Sequence, residues 1–87
     1  MYLDAVLRHF FGTTDVDTLD PAVVEQGREK IAIAFGTERE AGRRFALWAV
    51  LRATGEAPDP RNAFENLRER RAAEMYASAI AVADRSD

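Results

Sequence analysis

IAIAFGTEREAGRRFALWAVLRAT, residues 31–54, is the stretch on which the fold turns. Its opening, Ile31-Ala32-Ile33-Ala34-Phe35, alternates β-branched and small side chains, and local propensity alone would make it a strand. The residues upstream decide otherwise. Asp20-Pro21 is a helix start, because the carboxylate can cap free amides and the fixed φ of proline suits the first helical position. From there Val24, Gly27, Ile31, Ala34 and Phe35 recur at helical spacings, which predicts a helix over 21–35 ended by Gly36. Gly27 lies on that apolar stripe and gives up about 1 kcal/mol of helix propensity relative to alanine. A close approach by another element is expected there.

Thr37-Glu38-Arg39-Glu40 has the T-x-x-E form of a capping box, so the next helix is predicted over 38–54. Ala41, Phe45, Trp48, Ala49 and Arg52 define one of its faces, and Leu47, Val50 and Leu51 broaden it. A helix apolar over so much of its circumference belongs at the centre of the core, with Trp48 and Phe45 buried there. Gly55 and the following EAPDP end it.

Working outward to the N-terminus, Leu3, Val6, Leu7, Phe10 and Phe11 form the stripe of an amphipathic helix over 2–11, stopped by Gly12. Thr13 to Asp20 is dense in turn formers, and Val16 and Leu19 are the side chains able to pin that loop down. Toward the C-terminus, Asp59-Pro60 repeats the aspartate-proline start and opens a helix over 60–83. Some 24 residues would reach about 36 Å, more than a small core requires. Its second half carries Met75, Tyr76, Ala79, Ile80 and Ala83, with Arg71 on the same seam. These six residues are the expected contact surface of a homodimer, or of a complex with another protein.

The fold predicted is therefore all-α: a compact four-helix domain, with helices near 2–11, 21–35, 38–54 and 60–83 in a single unit spanning 1–87. A chain of 87 residues and 9.7 kDa has room for one core. Sixteen of its 41 apolar residues are alanines, which bring helices close but bury little area. Burial against a partner is expected to make up the difference.

No cysteine is present, which excludes disulfides and thiolate chemistry and points to a reducing, cytoplasmic setting. The N-terminal residues lack the ordered regions of a signal peptide, and no apolar run approaches the roughly 18 residues of a membrane span. A net charge of −3 offers no general attraction to nucleic acid. Eleven of the 12 basic residues are arginines, which suits contact surfaces and equally reflects the codon usage of a GC-rich bacterial genome.

Catalytic chemistry is not expected. His9 is the single histidine and sits among apolar residues with no hydroxyl or carboxylate at a telling spacing. Asp15, Asp17 and Asp20 share a loop but lack the register of a calcium-binding loop, and Asp20 is better used as a cap. Glycine-rich nucleotide motifs and the H-E-x-x-H pattern are missing. Glu40, Glu65, Glu69 and Glu74 read as solvated helix faces. No cofactor or metal is predicted. The function expected is a small helical interaction or regulatory module; the alternative is a nucleic-acid-binding regulator using the second and third helices, with Arg39, Arg43 and Arg44 as its contacts.

Overall fold

The computed structural model describes residues 2–85, with side chains described as far as residue 82. It contains α1 (Tyr2–Phe11), a 3₁₀ turn at Val16–Thr18, α2 (Pro21–Thr37), α3 (Ala41–Thr54), the single turn α4 (Pro60–Ala63) and α5 (Leu67–Arg85). No strand occurs among the described residues, and Ile31–Phe35 is helical. The molecule is a slab of 35 × 34 × 21 Å.

α3 is the hub. α1, α2 and α5 all pack on it, and α1 also packs on α2. Ala46 to Leu51 are buried without interruption, so this helix is covered around its whole circumference. Trp48 is 1 % exposed and donates its indole N–H to the Pro58 carbonyl at 2.8 Å, which leaves no polar atom of the ring unpaired. Phe45 is half-buried at the edge of the same cluster, and its ring centroid is 6.1 Å from that of Trp48.

Both aspartate-proline starts form as their chemistry dictates: Asp20 accepts from the Ala22 amide and Asp59 from the Arg61 amide, each at 2.8 Å. Gly12 ends α1 at φ +78°, in the left-handed region that glycine enters at little steric cost. Val16 and Leu19 pack down the loop between α1 and α2. Gly27 is buried, and a Cβ there would fall on the ring of Phe11, so the expected close approach is made by a side chain of α1.

Two junctions differ from expectation. α2 runs past Gly36 to Thr37, whose hydroxyl donates to the Ala34 carbonyl, and the capping box does not form. Glu40 itself is the N-cap of α3, its carboxylate accepting from the amides of Gly42 (3.2 Å) and Arg43 (2.6 Å).

The helix predicted over 60–83 is broken at Phe64–Asn66. In an uninterrupted helix Phe64 and Ala73 would lie about 180° apart around the axis, yet both are fully buried. The break resolves that conflict. Phe64 is extended (φ −128°, ψ 124°), and its ring packs at 5.9 Å from Phe35 and 5.8 Å from Trp48. Asn66 then restarts the helix by accepting from the amides of Arg68 and Glu69, while the Arg70 guanidinium donates to the Phe64 carbonyl at 3.1 Å.

Candidate functional site

The restart at Asn66 sets which face of α5 looks inward. Ala73 is fully buried, and Tyr76 and Ala77 pack against the core. The Tyr76 ring lies edge-on to Phe45 and Trp48, with centroids 6.2 and 6.1 Å away. Ile80 is half-buried one turn further on. One member of the predicted contact surface, Tyr76, thus packs on the domain's own core.

The opposite face is open. Met75 is 73 % exposed and Leu67 is 55 % exposed, and Arg71 and Ala79 are exposed between and beyond them. These residues follow one another at intervals of four, so they form a single stripe along the outer side of the helix. Val82, 61 % exposed, lies three residues past Ala79 on the same side. Ala83 belongs to α5, but its side chain lies outside those described. Of the six predicted contact residues the structure therefore groups Arg71, Met75 and Ala79, and it adds Leu67. The i, i+4 run from Leu67 was the available signal.

The arginines between α2 and α3 have different surroundings. Arg39 is exposed at the turn. Arg43 is ion-paired to Glu38 at 3.6 Å. Arg44 stacks over the rings of Phe35 (4.2 Å) and Phe64 (5.1 Å), so its guanidinium helps to cover the aromatic core. Sequence reading gave no role to Arg28, which the structure places at the C-terminal end of α3. Its guanidinium donates to the Thr54 hydroxyl at 3.1 Å, to the Leu51 carbonyl at 3.3 Å and to the Glu56 carbonyl. Those partners lie more than 20 residues away, and no local pattern could announce them.

Among the described residues no group of three or more His, Asp or Glu side chains comes together as a metal site. His9 packs edge-on against Phe10 at 4.8 Å, beside a small cavity of about 170 Å³ lined by Tyr2, Ala5, Val6 and Arg43. No helix among the described residues is long and apolar enough to cross a membrane. The chain matches no protein-family model, and no curated protein and no solved structure matches it.

Proposed function

We propose that this chain is a small helical protein-interaction module whose docking surface is the outward face of α5. The observation that carries the reading is the exposure of Leu67 and Met75 on one side of a 19-residue helix whose other side packs on the core through Ala73, Tyr76 and Ala77. Apolar side chains aligned along a helix face are a common means of recognition between proteins, since they bury area without requiring exact hydrogen-bond partners. The absence of cysteine supports a reducing, cytoplasmic setting for such a module.

Met75 provides the test, because the sequence has only one other methionine, Met1. Oxidative footprinting should label the Met75 thioether readily in dilute purified protein and much less in intact cells that produce the chain. Equal labelling in the two settings would reject the reading.

A further inference from the structure

We infer that a trough between α2 and the end of α3 docks a basic, amphipathic peptide segment of a partner protein. This surface shares no residue with the outward face of α5. Two cavities of about 350 and 470 Å³ open on either side of Arg28, and both are lined by Arg28 and Glu25. Each falls within the size range of binding clefts, about 300–1,000 Å³. Half-buried Val16, Leu19 and Val24 line the larger one, and Phe35, Ala57 and Pro58 line the smaller. Apolar side chains of a partner can be received in both.

Charge names the partner's chemistry. Four exposed carboxylates border the trough: Asp17 beside the larger cavity, Glu25 between the two, and Glu29 and Glu56 beside the smaller. The one cation lining either cavity is Arg28, whose side chain is 17 % exposed and whose guanidinium is spent on the Thr54 hydroxyl and on the carbonyls of Leu51 and Glu56. Glu25 stands 3.9 Å from it, and among the described residues Asp17, Glu29 and Glu56 have no ion pair. The neighbouring cations leave that balance negative. Arg52 borders an adjoining hollow with Glu56, Arg61 is paired to Asp59, and Lys30 lies about 100° around α2 from Glu29. Other carboxylates are already in use: Asp20 and Glu40 cap helices, and Glu38 is paired to Arg43. Among the described residues no three acidic groups converge as a metal site, so the matching cations must be spread along a chain. Glu25 and Glu29 are about 6 Å apart along the axis of α2, the spacing of lysines or arginines one turn apart on a partner helix.

A random peptide library displayed on phage tests this chemistry directly. Selection on the purified chain should enrich sequences in which arginines or lysines three or four residues apart flank an apolar side chain. A fluorescent copy of the leading sequence should bind the parent, and the double variant Glu25→Lys with Glu29→Lys, helicity retained, should weaken it about tenfold or more. Glu25→Gln with Glu29→Gln adds no repulsion and should weaken it about threefold. Glu65→Lys with Glu74→Lys changes the net charge equally but away from the trough, and should leave the affinity within about twofold at physiological salt. Enrichment of acidic or uncharged sequences, no enrichment at all, or equal weakening by the two lysine pairs would overturn the inference. So would a scrambled peptide of the same composition that binds as tightly, since acid alone would then account for binding. A peptide lost with Met75→Lys but kept with Glu25→Lys and Glu29→Lys sits on α5, in which case the trough falls while the docking face of α5 stands.

Discussion

Gly27 sets two residue-scale effects against each other. Replacing a mid-helix glycine with alanine ordinarily stabilises by about 1 kcal/mol. Here the new Cβ would collide with the Phe11 ring, which is itself buried and has little room to move. Overpacking of this kind costs about 1–3 kcal/mol, so Gly27→Ala is expected to destabilise the domain in urea unfolding. The loss should shrink when Phe11 is also replaced by leucine, and a Gly27→Ala variant more stable than the parent would show that the ring yields. Gly27 also shows what one position in a sequence can disclose. Its place on the apolar stripe announced a close approach, but the partner is 16 residues earlier, and spacing within α2 says nothing about which side chain arrives.

At the scale of elements, the two Asp-Pro starts were legible because each is a local device complete within two residues, although the second opens only the turn Pro60–Ala63 and not a helix to residue 83. The capping box at Thr37–Glu40 failed because its threonine is used by the helix before it, a competition visible only once both helices have lengths. Phe64 escaped for a similar reason: the apolar spacing of 60–83 suits one helix, and only burial of both Phe64 and Ala73 on the same core forces the break. The outward face of α5 was half legible, since Arg71, Met75 and Ala79 were identified but the inward turn of Tyr76 depends on where Asn66 restarts the helix.

Glu40 gives the α3 junction a pH dependence. The Arg43 amide first, then the Gly42 amide, hold its carboxyl below the ordinary value of 4.5. A carboxyl depressed in the folded state contributes stability that is full above its unfolded value and is lost as pH falls through its folded value. Between about pH 6 and about pH 3, urea midpoints of the parent should therefore fall more steeply than those of Glu40→Gln; parallel curves would mean that the cap contributes nothing through its charge.

At the scale of the whole molecule, Arg28 ties α2 to the last turn of α3 and to the strand-free segment that follows it. The guanidinium lies close enough to Gly55 that a Cβ there would stand 2.8 Å from its Cζ. Arg28→Ala is expected to cost about 1–3 kcal/mol, because it takes the guanidinium donor from the part-buried Leu51 carbonyl and Thr54 hydroxyl. Amide exchange should accelerate most around residues 51–58, and uniform acceleration across the chain would argue against a local tie. The aromatic cluster has a different consequence, one that concerns synthesis. Phe35, Phe45 and Trp48 all precede residue 50, whereas Phe64 and Tyr76, which pack against them, follow it. A nascent chain that has emerged only as far as residue 60 carries an unsealed aromatic surface. Ribosome-bound intermediates of that length are the ones a chaperone should hold, and release should follow once α5 has left the exit tunnel.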